Sequence, residues 1–260
     1  MINNFFYLIG KSTIGFIEAL GKFSIFQLKL FPLFIKPPFR IRQIFEQITF
    51  MGFGSLGVIF LTSFFTGLVE AVQLYHGFHK FGIEDYMGYT IFVSICKELG
   101  PVFAALMVVS RGISAYAAEL GSMRVTEQID ALDVMAVDSK QYLIIPRILG
   151  TIISLPLLIL FFDAVANIGA YLISVYTLDV NGYTYVENIK QFGEYEDFTE
   201  GITKGVVFGY LISAVGTYIG YNTRGGAKGV GISTTNAVVI SSILIFVADY
   251  VVSAFYLIFD

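Results

Sequence analysis

Lys97 and Glu98 stand side by side in Ile95-Cys96-Lys97-Glu98-Leu99-Gly100-Pro101, within a segment from Tyr86 to Ser110 that is otherwise free of charge. An ionised side chain at mid-membrane costs about 3 kcal/mol on insertion scales, so the pair is expected to face a cavity or a partner rather than lipid. Pro101 lacks a backbone N–H, and Gly100-Pro101 directly after the charges favours a break in the helix. A broken helix beside charges at membrane depth is a recurring way to build a substrate site. The carboxylate and the ammonium would hold a polar group, and apolar neighbours such as Leu99 would accept chains. The alternative is that the two charges pair within a helical bundle and only hold it together.

Other residue patterns with chemical potential fail on spacing. Gly10-Lys11-Ser12 imitates the end of a phosphate-binding loop, but the required first glycine would fall at Phe5 and no strand precedes it. The run Arg224-Gly225-Gly226-Ala227-Lys228-Gly229-Val230-Gly231 lacks the Gly-Lys-Ser/Thr ending and reads as a flexible turn. His76 and His79 have no carboxylate at ligand spacing, and the acidic stretch Asp179 to Glu200, with Glu187, Glu194, Glu196 and Asp197, contains no histidine. That stretch is expected to be a solvated connector. Cys96 is the only cysteine, which excludes intrachain disulfides and thiolate metal clusters. No catalytic residue, metal site or nucleic-acid surface is expected, and no cofactor bound by this chain.

The elements that position Lys97 and Glu98 follow from composition. Hydrophobic residues make up 56% of the 260 and charged residues 14%, where a soluble domain carries roughly 25% charged residues. A bilayer span needs about 20 apolar residues. Between Glu46 and Glu70 lie 23 uncharged residues, and between Lys204 and Arg224 another 19. Tyr86 to Ser110, Ile148 to Leu178 and Gly229 to Phe259 qualify once Lys97 with Glu98, Asp163 and Asp249 are accepted inside them. The expected fold is an all-α integral membrane protein with five transmembrane helices, the second of them broken. In residues 1–45, Lys11, Glu18, Lys22, Lys29 and Lys36 recur seven or four apart, which puts them on one helical face until Pro32 and Pro37-Pro38 end the pattern. An amphipathic helix in the membrane interface is expected there, not a cleaved signal peptide, since charges interrupt every apolar core and no small-residue cleavage site follows. Residues 46–260 would form the five-span domain.

With the amino terminus cytoplasmic, inside segments hold 12 Lys and Arg residues against 3 outside, namely Lys80, Lys190 and Lys204. The positive-inside rule therefore orients the chain, and Asp260 falls outside. From Ala117 to Met135, Leu120, Met123, Glu127 and Asp130 share helical spacing, as do Val125, Ile129 and Leu132. A short amphipathic cytoplasmic helix between spans two and three is expected, either solvated or inserted in a partner's groove. Gly205 with Gly209, and Gly216 with Gly220, permit close helix approach within one subunit or between two.

Lys97-Glu98-Leu99-Gly100-Pro101, the run from Ala117-Ala118-Glu119-Leu120-Gly121-Ser122-Met123-Arg124 through Val125-Thr126-Glu127-Gln128-Ile129-Asp130-Ala131-Leu132, Met135-Ala136-Val137-Asp138 and Pro146-Arg147 together resemble the MlaE family of permeases. Those permeases serve lipid-transporting ABC systems that work with mammalian-cell-entry (MCE) proteins. The resemblance covers nearly the whole chain. It implies a homodimer in a bacterial inner membrane, ABC ATPase subunits below that bind ATP and Mg, an MCE-domain ring above, and phospholipid as substrate; it leaves open a small regulatory subunit on the ATPase. It also implies a lipid site at Glu70, Leu74, Phe78, Phe81, Lys97, Glu98 and Leu99, and an ATPase-coupling role for Glu119, Arg124, Glu127 and Asp130. Two departures stand out: Lys97 replaces the family's usual Arg, keeping charge without the bidentate fork, and Ser139 replaces its usual Pro, which should only loosen a turn. The rival reading is a secondary transporter or channel in which Lys97, Glu98, Asp163 and Asp249 relay ions. Against it, no second half repeats the first.

Overall fold

The computed structural model describes residues 2–259; the expected outward position of Asp260 concerns a residue outside them. Helix α1 (Ile2–Leu30) is followed by a 3₁₀ turn at Phe31–Phe34 that contains Pro32. Five long helical rods then follow: α2 (Ile41–Phe78); a rod from Met87 to Val125; α8 (Ile145–Tyr176); α10 (Tyr195–Tyr221); and α11 (Gly226–Phe259). All five are long and apolar enough to cross a bilayer, and among the described residues there is no strand. The rods overrun the sequence-based spans: α2 already begins at Ile41, and the second runs on to Val125.

The expected break in the second rod takes the form of two π-helical turns. Met87–Ser94 (α3) leads into a π turn at Ile95–Leu99, Gly100–Val108 (α4) into another at Val109–Ile113, and Ser114–Val125 (α5) completes the rod. Gly100 N–H donates five residues back to Ile95 O. Pro101, which cannot donate, falls in the first turn of α4, where a missing N–H is tolerated. The chain therefore stays helical through Lys97 and Glu98, with its register shifted by a residue on either side.

The core lies where α2, α4, α5, α8 and α10 meet, around Ile59, Ile95, Val108, Ile113, Phe162 and Phe208. Both glycine pairs of α10 are used inside the subunit. A Cβ at Gly205 would press on Pro156 and Ile159, one at Gly209 on Ile152, one at Gly216 on Ile113 and one at Gly220 on Ala117. Close packing against α8 and α5 therefore explains them without a second copy. A second apolar cluster, including Phe26, Leu30, Leu120, Ile129, Leu143 and Ile148, ties α1 and α6 (Gln128–Val134) to the bundle. α1 rests on α10 through Phe23 and Phe26, packed edgewise on Tyr218 at 5.2 and 5.1 Å.

Two expectations about connectors change. The stretch from Asp179 to Glu200 is not an open loop, because Gly182–Phe192 forms α9 and α10 starts at Tyr195 with a Glu194/Asp197 capping box. The Asn181 side chain accepts from Tyr183 N and Thr184 N, which starts α9. Ser139 does not loosen its turn. It is buried and opens α7 (Ser139–Leu143), whose amino end is capped by the Asp138 carboxylate, and its hydroxyl lies 2.9 Å from Tyr221 OH.

Candidate functional site

The π turn at Ile95–Leu99 brings Lys97 and Glu98 against α10, whose Gly201 lets its backbone approach the Cys96 carbonyl closely. Two ammoniums and four carboxylates meet there. Lys97 Nζ lies 3.0 Å from Asp197 Oδ1 and 3.7 Å from Glu200 Oε2. Lys204 Nζ lies 3.0 Å from Glu98 Oε1, 3.2 Å from Glu200 Oε1 and 3.0 Å from Asp249 Oδ1. The last contact is an ion pair without hydrogen-bond alignment. Ser253 of α11 donates to Glu98 Oε1 at 3.1 Å.

Lys204 also repairs the backbone. In an unbroken α-helix the N–H of residue 101 would bond to the carbonyl of residue 97, and proline leaves that acceptor without its α-helical donor. Lys204 Nζ donates to Lys97 O at 2.6 Å. The lysine is fully buried, so each of its contacts acts where water competes little. Asp197 and Glu200 are buried as well, whereas the Glu98 side chain is 48% exposed. Asp163 stands apart: it is buried against Gly100, and its Oδ1 has no hydrogen-bond partner.

Beside this cluster an apolar groove runs between α2 and α4. Phe65, Thr66, Val69, Glu70, Leu99 and Phe103 line one cleft of about 350 Å³. A second of similar volume, about 350 Å³, continues along Leu61, Thr62 and Met107. From Leu61 to Glu70 the helix rises about 14 Å. Glu70 closes the polar end, its Oε1 accepting from Ser94 Oγ at 3.2 Å.

Of the residues expected to bind lipid, Glu70 and Leu99 line the groove, and Lys97 and Glu98 belong to the adjoining charged turn. Leu74 and Phe78 instead pack partly buried against the core. Phe81 stands 78% exposed beyond the end of α2. Asp197 and Glu200, expected in a solvated connector, and Lys204, expected outside, are all buried in the ion cluster because they lie on α10. Their spacing of three and four residues was the available signal.

The residues expected to couple to an ATPase do not form one face. Glu119 pairs with the buried Arg147 at 2.8 Å, and Arg124 pairs with Asp130 at 2.6 Å, strapping α5 to α6. Glu127 occupies the turn between those helices in the left-handed region, at φ 59°, which a non-glycine residue adopts at a cost of about 1 kcal/mol. Ile129 is buried, while Val134 and Met135 are among the exposed apolar side chains. The single helix expected over 117–135 is thus two helices with an exposed tip.

A family model described as Permease MlaE matches residues 44–255. The chain is similar to a probable ABC transporter permease protein of Rickettsia bellii, with 44% identity over 97% of this chain and 98% of that one. A probable ABC transporter permease protein of Synechocystis is 35% identical over 82% of this chain and 81% of its own length. The intermembrane phospholipid transport system permease protein MlaE of Haemophilus influenzae is 32% identical over 98% of both chains.

Proposed function

The chain belongs to the MlaE permease family, the membrane-spanning subunits of ABC transporters, and from that premise we propose that its cargo is a phospholipid moved between the inner membrane and an MCE-domain protein ring. The observation that carries the reading is the juxtaposition of an apolar groove with a charged turn, both reached through Leu99. An amphiphile needs both: acyl chain along Phe65, Val69 and Phe103, headgroup at Glu98 and Lys97. The name of the Haemophilus relative points to the same cargo. ATP and Mg would be handled by separate ATPase subunits, docked at the exposed tip formed by Glu127, Val134 and Met135. The distribution of Lys and Arg favours that tip as the cytoplasmic end. A second copy of the chain would cover the sparsely buried faces of α2 and α11.

Glu98→Gln keeps size and removes charge, so the test is photocrosslinking of labelled phospholipid to positions 98 and 65, run beside a transport assay of the reconstituted complex. Loss of crosslinking and transport with the complex intact is expected. Unchanged crosslinks and normal transport would reduce the charged turn to scaffolding.

A further inference from the structure

At the end of the bundle that carries α6 and α7, far along α10 from the charged turn, a cavity of about 230 Å³ lies between α1, α7 and α10. Its lining is Lys22, Ile25, Phe26, Lys29, Lys140, Tyr218 and Asn222. Lys22 and Lys29 are seven residues apart, two helical turns, and so share one side of α1. Lys22 is paired with Glu18 at 2.6 Å. Lys29 and Lys140 have no carboxylate within ion-pair distance among the described residues, and Lys140 Nζ rests 5.8 Å above the Phe26 ring. Arg224 is close enough to Lys22 to act on it as a like charge. Two uncompensated ammoniums at one cavity repel each other unless an anion lies between them.

The surroundings name the source of that anion. α1 turns Ile14, Ile17, Ile25 and Leu28 outward, each more than half exposed, and Ile25 also lines the cavity. An amphipathic helix with such a face lies at the headgroup level of a bilayer, where a lipid phosphate is the abundant anion. We propose that this lysine cavity binds the headgroup of an anionic phospholipid from the surrounding leaflet, bridging α1 to α7 and α10, as a site separate from the transport groove. The phosphate diester sits between Lys29 and Lys140, the aromatic walls of Phe26 and Tyr218 flank the glycerol, and the acyl chains run along Ile25. Bound lipid adds to a seam that α1 otherwise makes through Phe23, Phe26, Leu30 and the hydrogen bond that Tyr210 OH donates to Gln27 Oε1.

The test uses the full-length chain in its purified complex, exchanged into nanodiscs of equal phosphatidylglycerol and phosphatidylcholine, with retained lipid read by native mass spectrometry. Each lysine near an anionic headgroup contributes about fivefold in affinity. Lys29→Gln with Lys140→Gln is therefore expected to retain phosphatidylglycerol about 25-fold more weakly, while Lys29→Arg with Lys140→Arg keeps it. Glu98→Gln separates the two sites, since lipid held at the lysines survives that change and lipid held in the groove does not. Phosphatidylglycerol with a photoactivatable headgroup, applied to the unmodified chain, should label residues 22–29 or 140, which keeps the proposal testable should the double variant not fold. Equal labelling by phosphatidylcholine, or retention unchanged in the double variant, would overturn it. Displacement of the label by inorganic phosphate alone would make the ligand a free anion, and loss of the ATPase with lipid retention intact would make the cavity a protein contact; either result rejects the lipid site.

Discussion

Replacing Lys204 by Met keeps an unbranched chain of similar reach and removes the ammonium on which the ion cluster converges. Three carboxylates lie within 3.2 Å of it, and the Lys97 carbonyl accepts from it at 2.6 Å. Removing one partner of a buried ion pair costs about 3–5 kcal/mol because the other charge is stranded. Asp249, whose only ion pair among the described residues is with Lys204, and Glu200, left with Lys97 at 3.7 Å, are the groups stranded here, whereas Glu98 is half exposed and solvent takes up much of its loss. The deserted carbonyl adds about 1–3 kcal/mol unless water reaches it. A destabilisation of at least about 4 kcal/mol is therefore expected, measured by equilibrium unfolding of the purified chain in mixed micelles. Adding Glu200→Gln removes one of the two stranded charges and should restore about 1–2 kcal/mol, a coupling that unrelated sites would not show. A single variant within about 0.5 kcal/mol of the parent, or a double variant less stable than the single, would refute the view that Lys204 holds this cluster together.

Gly100→Ala drives a methyl group into Asp163 Oδ1 and the Ile95 carbonyl, and should cost about 1–3 kcal/mol in the same assay; a neutral result would mean that the π turn is not held by that contact. Glu127→Lys reverses charge at the exposed turn of α6 without touching the core, so the ATPase should be lost on purification while the permease still inserts; full retention with normal lipid-stimulated hydrolysis would remove the turn from coupling. In a background lacking Cys96, a cysteine introduced at position 190, on α9, should react with impermeant reagent from outside intact cells, and labelling only after the cytoplasmic side is opened would invert the topology.

Five spans were legible because hydrophobic length is a property of the chain alone, and α1 because its charges recur at the helical period. The charged turn was legible for the same reason in reverse, since Lys97 and Glu98 interrupt an apolar run. Their partners were hidden by position. Asp197 and Glu200 end the acidic stretch and Lys204 follows it, and all three resemble loop residues until α10 is known to start at Tyr195 and carry them inward. The π turns were not legible, because Gly100-Pro101 announces a missing hydrogen bond without saying whether the chain unwinds or shifts register. Of the residues named by resemblance, Glu70 and Leu99 line the groove, Leu74 and Phe78 pack partly buried against the core, and Phe81 stands exposed beyond α2. An apolar side chain looks alike in sequence whether it faces a core, a lipid or a cavity.

Within the cluster the four carboxylates are not equivalent, and the difference decides which of them a ligand could reach. Asp197 is fixed by its role in the capping box of α10, accepting from Glu194 N at 3.0 Å, and it is buried beside Lys97. Glu200 bridges both lysines, at 3.7 Å from Lys97 and 3.2 Å from Lys204. Asp249 is held by α11 against Lys204. Glu98 alone combines an exposed side chain with a partner that keeps other counter-charges when it leaves: if it turns to a headgroup amine or hydroxyl, Lys204 retains Glu200, Asp249 and the Lys97 carbonyl. The cluster's excess of carboxylates over ammoniums supplies that spare charge. A network with equal numbers of each would strand a buried lysine whenever Glu98 moved, at the several kcal/mol that an unpaired charge costs. The acidic surplus and the proline-freed carbonyl thus keep Lys204 satisfied while one carboxylate stays half exposed.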